Sequence, residues 1–387
     1  MKIERICFIA STYPTKEHPA YTFLDQLVCQ FADMGIQCTV IAPHSPLKDR
    51  LKNDNYYPAE HWIRTTKGGA NIDVYCPKMP FALGRNVFHI NFFKIYRRLF
   101  LNAVKKAYNK YKINADVIYA HFIVPSGLVA ADLAAEYHKP YFIAYGESSF
   151  DSVRNSVPLE FVQQKLAAIS GAIAVSKKNQ DELIANHVVT RENVSVFPNA
   201  IDVEVFHRMD KKIIRKELGI SDSCFIVAFV GHFIHRKGPL RLAAAIKGLK
   251  GINSFFIGAG EEQPDCDGIL FSGKLPHEKI ARYLNAADVF VLPTLAEGCC
   301  NAIVEAMACG LPVISSNLPF NDDILDETNS IRIDPSSVDE IRSAIQLLYE
   351  NRGFREKLAA GALERASMLR IETRAENILK YMEEKTD

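Results

Sequence analysis

The chain has 387 residues, of which 48% are hydrophobic and 24% are charged. This composition is that of an ordinary globular protein of two or three domains, and it excludes a disordered, collagen-like or coiled-coil chain. Lysine and arginine (46) balance aspartate and glutamate (45), giving a formal net charge of +1. The balance argues against a dedicated nucleic-acid-binding protein.

The nine cysteines are scattered and form no Cys-x-x-Cys pair. Neither a zinc ribbon nor a dithiol redox motif is therefore predicted, and a reducing compartment is favoured. Residues 1–5 lead into a strand-like run and not into the apolar region of a signal peptide. No apolar stretch approaches the ~20 residues that span a bilayer. We therefore expect a soluble, cytoplasmic protein.

Short, continuous apolar runs alternate with helical patterns along the chain. A strand pattern at 6–10 is followed by a helix pattern at 23–34 and a second strand pattern at 38–42. Continuous apolar strands separated by helices are typical of parallel sheets that are covered on both faces. A polar break at 199–222 separates two such series. The sequence therefore predicts an α/β chain of two Rossmann-like, doubly wound domains facing a cleft.

The polar break also sets the expected domain boundaries. We predict an N-terminal domain over 1–203, a C-terminal domain over 204–371 and a final helix over 372–387. That helix either caps the second domain or packs back on the first. Because open α/β sheets bind ligands beyond the C-terminal ends of their strands, loops of both domains are expected to reach the cleft.

The glycine-rich fingerprint of dinucleotide-binding domains is missing. Residues 11–16 after the first strand read Ser-Thr-Tyr-Pro-Thr-Lys, without the G-x-G-x-x-G spacing. Residues 258–260 read Gly-Ala-Gly after a later strand, but Glu261 and Glu262 follow and would repel a pyrophosphate at a helix N-terminus. No Walker A pattern occurs. A nicotinamide-dependent dehydrogenase and a P-loop enzyme are therefore not predicted.

The most informative segment is 293–313, where a strand pattern leads into a loop that carries Glu297. Gly298 permits a close backbone approach, and Asn301 is predicted to cap a helix that ends before Gly310. The backbone N–H groups of 299–302 would then be unpaired and electropositive. Such a helix start is suited to binding a diphosphate.

Glu297 and Glu305 alone would also fit a solvated helix face, but the whole segment resembles the E-x7-E string of family-4 glycosyltransferases. These are retaining enzymes of the GT-B fold, and the chain resembles members that act in bacterial surface-polysaccharide biosynthesis. Other segments match the family in order and together cover essentially the whole chain. They are 121–127 ("HAHF..PSG"), 197–202 ("PNGVD"), 230–238 ("VGRxxxxKG"), 271–275 at the nucleobase and 286–289 ("AADVFV").

The resemblance implies a role for each matching donor-side residue. Lys237, otherwise an ordinary surface lysine, would neutralise the donor diphosphate. Glu305 would accept hydrogen bonds from the ribose, and Glu297 would act catalytically beside the transferred sugar. Asn301 and the backbone amides of Cys299 and Cys300 would hold the β-phosphate or sugar hydroxyls, with the two thiols as bystanders. Further predicted donor-binding residues are Gly231, His232, Arg236, Lys274 and Leu275.

Two positions depart from the family pattern. His232 stands where the family usually has an arginine, and Arg236 or His235 would supply the missing charge. His232 itself is either a buried polar residue or, as its place after a strand favours, a weaker phosphate contact. Tyr145 stands where many members have the histidine of a His-Gly-Ser-Asp segment. Tyrosine is a poor general base near neutral pH.

The predicted catalytic residues of the first domain follow from this second departure. They are Tyr145, Glu147, which would compensate for the missing histidine, and His121, the remaining acceptor-side histidine. As a lone histidine His121 would more often be structural. The loop over 13–22 is expected to shape the acceptor pocket, and its predicted acceptor-binding residues are Lys16, His18 and Tyr21.

A basic and aromatic stretch spans 85–112 and contains no acidic residue. One interpretation is an ordinary helix that packs its aromatic rings on the sheet and exposes its lysines. Another is an interfacial surface that binds anionic lipid, and nucleic-acid binding is a weaker third. The basic residues are Arg85, Lys94, Arg97, Arg98, Lys105, Lys106, Lys110 and Lys112.

The resemblance predicts a retaining glycosyltransferase that moves a hexose-type sugar from a nucleotide-diphosphate-sugar to a hydroxyl of a lipid-linked glycan. The nucleotide-sugar is then a co-substrate, and no further cofactor, metal or nucleic acid is expected; a peripheral position on the cytoplasmic membrane face is an open alternative. Two rival functions remain. One is a nucleotide-sugar epimerase of the same fold, against which the E-x7-E string argues. The other is a catalytically weak, sugar-nucleotide-binding scaffold, which the changes at His232 and Tyr145 favour.

Overall fold

A computed structural model describes residues 1–15, 21–51, 58–82 and 92–386. The chain divides into two compact units: unit 1 comprises Met1–Phe197 and Arg374–Asp387, and unit 2 comprises Pro198–Thr373. The division thus falls at Phe197, whereas the sequence had suggested residue 203. The final helix is grouped with unit 1 from Arg374 onward, which is the second of the two placements considered for it.

Unit 1 is built on a sheet of eight described strands. The strands are β1 (Arg5–Ile9), β2 (Gln37–Ile41), β3 (His61–Thr65), β4 (Asn71–Tyr75), β5 (Val117–His121), β6 (Tyr141–Tyr145), β7 (Gly171–Ala174) and β8 (Val194–Val196). Its helices are α1 (Thr22–Asp33), α2 (Pro46–Leu51), α3 (Phe92–Lys110), α4 (Leu128–Tyr137), α5 (Asp151–Arg154), α6 (Leu159–Leu166) and α7 (Lys177–Ala185).

Unit 2 contains a second sheet of six strands. The strands are β9 (Phe225–Val230), β10 (Ile252–Ile257), β11 (Ile269–Gly273), β12 (Val289–Leu292), β13 (Val313–Ser316) and β14 (Ser330–Ile333). Its helices are α8 (Lys211–Glu217), α9 (Pro239–Ile246), α10 (His277–Ala286), α11 (Asn301–Ala308), α12 (Val338–Glu350) and α13 (Arg352–Ser367), and α14 (Ile371–Thr386) ends the chain.

The strand orders confirm the doubly wound prediction. They are β3-β4-β2-β1-β5-β6-β7-β8 in unit 1 and β11-β10-β9-β12-β13-β14 in unit 2. The central strands are parallel, and every residue of β5, β6, β9 and β12 is buried because helices cover both faces. Strand order reverses between β1 and β5 and between β9 and β12. These two switch points are where such sheets bind ligands.

One edge of the first sheet differs from the parallel pattern. β3 pairs antiparallel with β4 and is mostly exposed, with Ile63 57% accessible. A short turn joins the two strands, in which the Thr66 amide donates to the Ala70 carbonyl at 2.8 Å and Gly69 has a φ of +87°. A hairpin connection of this length can join only antiparallel strands.

The aromatic residues of α3 pack into the core of unit 1. Phe93, Tyr96, Phe100 and Tyr108 are all at least nine-tenths buried, as the interpretation of 85–112 as an ordinary helix requires. Three of its basic side chains pair with acids: Arg97 with Asp132, Lys105 with Glu136, and Lys110 with Glu60 at 2.8 Å. Residues 85–91 lie outside the described residues. In the described ranges, no helix combines the length and apolar character needed to cross a bilayer.

The Gly-Ala-Gly triplet at 258–260 has a packing role. A β-carbon on Gly258 would lie 1.8 Å from the carbonyl oxygen of Gly231, and one on Gly260 would lie 2.2 Å from that of Phe233. The Phe233 amide donates to the Ala259 carbonyl at 2.9 Å, so two backbone segments run side by side after β9 and β10. The glycines therefore permit the loop that follows β9 to lie against the end of β10.

We expect the substitution Gly258→Ala to destabilise unit 2 by about 3 kcal/mol or more, because a methyl group cannot fit 1.8 Å from a backbone oxygen unless the main chain moves. Gly353→Ala is the matched control, since the nearest atom to its added β-carbon is 3.8 Å away. Thermal unfolding of the two variants and the native chain measures the effect. Equal melting temperatures for the two variants would contradict this account.

Candidate functional site

The donor-side residues of the sequence prediction gather beyond the C-terminal ends of β9 and β12. Gly231 directly follows β9, and its amide donates to the Ile257 carbonyl at 2.9 Å. The chain after β12 passes through Thr294 to Glu297 and then into α11. Because β9 and β12 are neighbours at the switch point of the sheet, these two loops meet.

The centre of this site is one carboxylate oxygen that accepts three hydrogen bonds. Glu297 Oε1 lies 2.6 Å from Lys237 Nζ, 2.8 Å from Arg236 Nη1 and 2.8 Å from Thr294 Oγ1. Arg236 Nη1 also donates to the Ala296 carbonyl, which ties the first loop to the second. Lys237, Arg236 and Glu297, predicted separately from sequence, therefore form a single charged cluster.

This cluster is largely removed from water. Lys237 is 9% exposed and Glu297 is 8% exposed. Burial by itself lowers the pKa of Lys237, but Cys300 and Glu297 beside it outweigh this effect, so that the pKa is raised overall. The ammonium group thus stays charged near neutral pH, at the place where a diphosphate would need a cation.

A glycine in the left-handed conformation sets the direction of Lys237. Gly238 has a φ of +76° and immediately precedes α9. A β-carbon there would lie 2.8 Å from the Pro293 carbonyl oxygen, so the two loops touch at this residue. The Leu295 amide donates to the Arg236 carbonyl at 2.8 Å and adds a second link. The "KG" pair of the sequence is thus a lysine presented by a turn that favours glycine.

The start of α11 corrects one prediction. Cys300, and not Asn301, occupies the N-cap position, and Asn301 is the first helical residue. Asn301 Oδ1 instead accepts a hydrogen bond from Asn199 Nδ2 at 2.7 Å. The side chain of Cys300 accepts no capping hydrogen bond; its sulfur lies 3.9 Å from Lys237 Nζ, and the Ile303 amide donates to the Cys300 carbonyl at 3.1 Å. The buried thiol therefore borders the helix start beside Lys237 without capping it.

Glu305, the predicted ribose ligand, is 9% exposed and has a partner that the sequence did not reveal. Its Oε1 lies 3.0 Å from Nε2 of His277, the first residue of α10. Burial lowers the pKa of His277, but the hydrogen bond and the charge of Glu305 raise it more, so the net direction is upward. The imidazole therefore holds the carboxylate in one orientation.

Of the other predicted donor residues, His232, Lys274 and Leu275 make no hydrogen bond or ion pair with this cluster within the described part of the chain. His232 is exposed, so its interpretation as a buried polar residue is wrong. Lys274 is exposed and Leu275 is half-buried, directly after β11. Cys299 is 9% exposed, and its carbonyl accepts a hydrogen bond from Asn199 Nδ2 at 3.0 Å.

In unit 1, His121 ends β5 and lies in a cluster of aromatic rings. Its ring centroid is 5.0 Å from that of Phe23, 4.3 Å from that of Phe122 and 5.9 Å from that of Tyr21. Burial lowers its pKa to about 3, helped by the charge of Arg374, so the imidazole is neutral near pH 7. Nδ1 is buried and has no hydrogen-bond partner among the described residues.

Glu147 and Tyr145 differ in their hydrogen-bond partners. The Glu147 carboxylate accepts hydrogen bonds from the amides of Gly146, at 3.2 Å, and Ile123, at 3.4 Å, and burial raises its pKa to about 7. Tyr145 is fully buried, and its hydroxyl donates to Glu182 Oε2 at 2.9 Å. The structure gives Tyr145 a packing role, and its catalytic role stays a prediction.

The predicted acceptor residues are only partly described. Lys16 and His18 lie outside the described residues. Tyr21 has a φ of +61°, which is uncommon for a residue with a side chain, and its hydroxyl lies 3.4 Å from Ser11 Oγ. Tyr21, His121 and Glu147 follow or end β1, β5 and β6, so they share the switch-point end of the unit 1 sheet.

Sequence reasoning missed Thr294, His277 and the bridging role of Asn199. Thr294 lies three residues before Glu297, so its hydroxyl was a detectable local partner. His277 and Glu305 are far apart in sequence, and only the packing of α10 brings them together. Across the described parts of the chain, no group of three or more metal-ligating side chains is present. The cluster can instead offer cations and backbone amides to an anionic ligand.

Comparison with known proteins agrees with this geometry. The family described as "Glycosyltransferase Family 4" matches residues 21–205, and that described as "Glycosyl transferases group 1" matches 210–365. A candidate teichuronic acid biosynthesis glycosyltransferase of Bacillus subtilis (strain 168), TuaC, is 29% identical over 356 residues, which are 88% of either chain. An Escherichia coli UDP-Gal:alpha-D-GlcNAc-diphosphoundecaprenol alpha-1,3-galactosyltransferase is 31% identical, over 45% of this chain and 49% of its own.

Solved structures show the same fold at lower identity. Sucrose-phosphate synthase from Thermosynechococcus elongatus has a TM-score of 0.75 at 18% identity, covering 98% of both chains. Anabaena HepE in complex with UDP has a TM-score of 0.73 at 16% identity, covering 99% of this chain and 100% of its own. The two matched ranges cover both sheets apart from β1, and they include Lys237, Glu297 and Glu305. The chain therefore belongs to the family-4 glycosyltransferases of the GT-B fold.

Proposed function

We propose that this glycosyltransferase moves a hexose from a nucleotide-diphosphate-sugar to a hydroxyl of a lipid-linked glycan, with retention of anomeric configuration. The observation that carries the proposal is the Glu297 carboxylate. Its Oε1 accepts hydrogen bonds from both Lys237 and Arg236, and both Glu297 and Lys237 are buried. The printed names of relatives add support, because one concerns teichuronic acid biosynthesis and another names a UDP-sugar and a diphosphoundecaprenol acceptor.

The donor would bind by exchange of ion-pair partners. Lys237 and Arg236 neutralise Glu297, so that the buried carboxylate is paired. An arriving diphosphate would draw the two cations to its oxygens, where charge develops as the sugar leaves. Glu297 would then be released to contact the sugar, and Glu305, held by His277, would bind the ribose.

Two cations and the start of α11 would supply the charge that stabilises the leaving diphosphate. We therefore propose that the reaction needs no divalent metal and no cofactor beyond the nucleotide-sugar. Arg236 takes over the charge that the family places at position 232, since its guanidinium already lies in the cluster while His232 is exposed. His232, together with Lys274 and Leu275, would contact the nucleotide from the rim.

The acceptor would bind at the switch-point end of the unit 1 sheet. Glu147 is proposed as the group that takes the proton of the acceptor hydroxyl, since two backbone amides orient its carboxylate and its pKa of about 7 suits a base near neutral pH. His121 and Tyr21 would contact the acceptor sugar. A lipid-linked acceptor would also bring the chain to a membrane surface, where the exposed Lys94, Ile95, Arg98 and Lys106 of α3 would face anionic lipid.

The rival functions have less support. An epimerase of this fold would need an acid and a base on its sugar, whereas the carboxylate beside the cations, Glu297, is held by three donors. A catalytically weak, sugar-nucleotide-binding scaffold was favoured by the changes at His232 and Tyr145. Arg236 and Glu147 offset these two changes, so the catalytic function is the better proposal.

We expect one family of nucleotide-sugars to raise the melting temperature of the chain, since a ligand that binds only the folded state stabilises it by mass action. A panel of UDP-, GDP-, ADP- and dTDP-sugars with their free diphosphates, all in EDTA, tests this by thermal shift. Lys237→Ala should abolish the shift, and Lys250→Ala, an exposed lysine outside the site, should keep it. No shift with any ligand would refute the proposed donor site.

Glu297→Gln should separate binding from catalysis. Sugar transfer should fall by about 10²-fold or more, because a charged contact near the reacting sugar is lost. The free nucleoside diphosphate should bind several-fold tighter, because binding no longer requires Lys237 and Arg236 to break their ion pairs with Glu297. Calorimetric binding and initial rates give the two values.

The control for this experiment is Glu262→Gln, whose carboxylate pairs with His235 outside the cluster. It should change neither quantity. If Glu297→Gln weakened binding of the free diphosphate as much as it slowed transfer, the exchange of ion-pair partners would be refuted.

The raised pKa of Glu147 predicts a pH-dependent stability. Folding raises this pKa from 4.5 to about 7, so the folded state binds the proton more tightly than the unfolded state. The resulting stability is present below about pH 4.5 and is lost as the pH rises through about 7. Glu147→Gln should therefore gain free energy of unfolding relative to the native chain increasingly from pH 5 to 8, by at most about 3.4 kcal/mol, and the difference in melting temperature should grow with it.

The matched control for the pH series is Glu160→Gln, an exposed glutamate on α6. Its effect on the melting temperature should not change with pH in this range. A difference between Glu147→Gln and the native chain that stayed constant from pH 5 to 8 would refute the raised pKa. Loss of transfer activity in Glu147→Gln, with donor binding unchanged, is expected in parallel.

A further inference from the structure

A second cavity of unit 2 lies away from the donor cluster and is rich in cations. Its volume is about 860 Å³, a size typical of small-molecule sites. It opens beside residues that precede β12 and β13, namely Asp288 and Pro312, whereas the donor cluster follows the C-terminal ends of β9 and β12. The two sites therefore lie at opposite ends of the same sheet.

Six basic side chains line this cavity against four acidic ones. The acids are largely used within the fold: Asp210 caps α8 by accepting from the amides of Lys212 and Ile213, and Glu356 pairs with Arg352 at 2.7 Å. The lining cations are Arg208, Lys211, Lys212, Arg215, Arg352 and Arg355, and the acids are Asp210, Asp222, Asp288 and Glu356.

One acid of the cavity is shared by two cations. Asp288 Oδ2 lies 2.7 Å from Arg215 Nη2, and its Oδ1 lies 3.0 Å from Lys211 Nζ. Burial lowers the pKa of Lys211, Asp288 opposes this, and the charges of Arg215 and Arg355 lower it further. Positive charge is therefore in excess at this position, even after the ion pairs are counted.

Two of the lining cations have no partner in the described part of the chain. Neither Arg208 nor Lys212 makes a side-chain hydrogen bond or ion pair there. The aliphatic part of the Arg208 side chain packs on Gly310, since its Cδ would lie 3.5 Å from a β-carbon built on that glycine. Arg208 thus has its stem packed and its guanidinium unpaired at the cavity. A guanidinium held in this way is ready to form a bidentate contact with a phosphate group.

Two arginines of α13 add positive charge at the N-terminus of that helix, even though Arg352 pairs with Glu356. Arg352 and Arg355 lie in the first turn of α13, where the helix dipole disfavours positive charge, and that turn has no acidic residue. Arg355 is held in place by the Leu348 carbonyl and by the ring of Phe225, 5.1 Å away. Cations fixed at the positive end of a helix are stabilised when an anion lies between them.

We propose that this cavity binds a small phosphorylated molecule at a site separate from the sugar donor, with Arg208, Lys212 and Arg352 as its principal cationic contacts. The guanidinium groups of Arg208 and Arg352 would each donate hydrogen bonds to phosphate oxygens, and the Lys212 ammonium group would add a positive charge. The volume leaves room for more than one phosphate group or for a phosphate attached to a sugar.

The test uses the full chain with the donor site disabled by Lys237→Ala, because that site would also attract diphosphates. Orthophosphate, pyrophosphate and glucose 6-phosphate are titrated calorimetrically in separate experiments, which distinguishes an inorganic from a sugar-borne phosphate. At least one should bind saturably, and adding Arg208→Ala and Lys212→Ala should weaken it by about tenfold or more, since two charged contacts are lost. Both side chains are exposed and unpaired, so folding should be unaffected.

Lys247→Ala with Lys250→Ala is the matched control, because it removes two exposed lysines outside the cavity lining and should leave binding unchanged. Hydrogen exchange adds an independent readout: the bound phosphate should slow exchange of the amides around 208–215 and 351–356. The proposal is overturned if none of the three ligands binds saturably, or if the cavity and control pairs weaken binding equally. Because Lys237 is already absent, this outcome does not bear on the proposed donor site.

Discussion

The donor side of this chain depends on a single buried carboxylate oxygen that must satisfy two cations. Lys237 and Arg236 come from the loop after β9 and Glu297 comes from the loop after β12, so their ion pairs fix both loops at once. Buried charges are costly unless they are paired. The same ion pairs that hold the two loops together therefore also keep two cations close to each other. A ligand with more negative charge than one carboxylate can bind both of them. Gly238 and the Gly258-Ala259-Gly260 packing hold the backbone on which this arrangement rests.

Much of the fold and the donor cluster followed from the sequence, for identifiable reasons. Continuous apolar strands alternating with helices can form only a covered parallel sheet, and the doubly wound order then makes β9 and β12 neighbours. Lys237 and Glu297 each follow one of these strands, so their meeting was predictable. The cap of α11 was placed one residue late, because asparagine is a preferred capping residue, whereas the N-cap here is Cys300, whose side chain accepts no capping hydrogen bond.

Other features depend on packing that no local pattern encodes. Tyr145 is the last residue of β6 and its hydroxyl donates to the half-buried Glu182, whereas Glu147, two residues later, has left the strand. The partnership of His277 with Glu305 needs α10 to lie beside α11. The antiparallel β3 escaped the prediction because its exposed residues carry no apolar run. The aromatic residues of α3 were ambiguous because one sequence pattern suits both a core-facing helix and a membrane-facing one.

The return of α14 to unit 1 has a consequence for how the protein is made. The Ile3 amide donates to Glu383 Oε1 at 3.0 Å, and the ring of Tyr381 packs against Phe142, so residues at the two ends of the chain share one fold. A nascent chain leaves the ribosome from its N-terminus, and domains usually fold in that order. Here the first unit to emerge is the last to be completed, because its closing helix is translated only after all of unit 2. Until α14 has been synthesised, the apolar surface around Phe142 lacks the ring of Tyr381 that covers it.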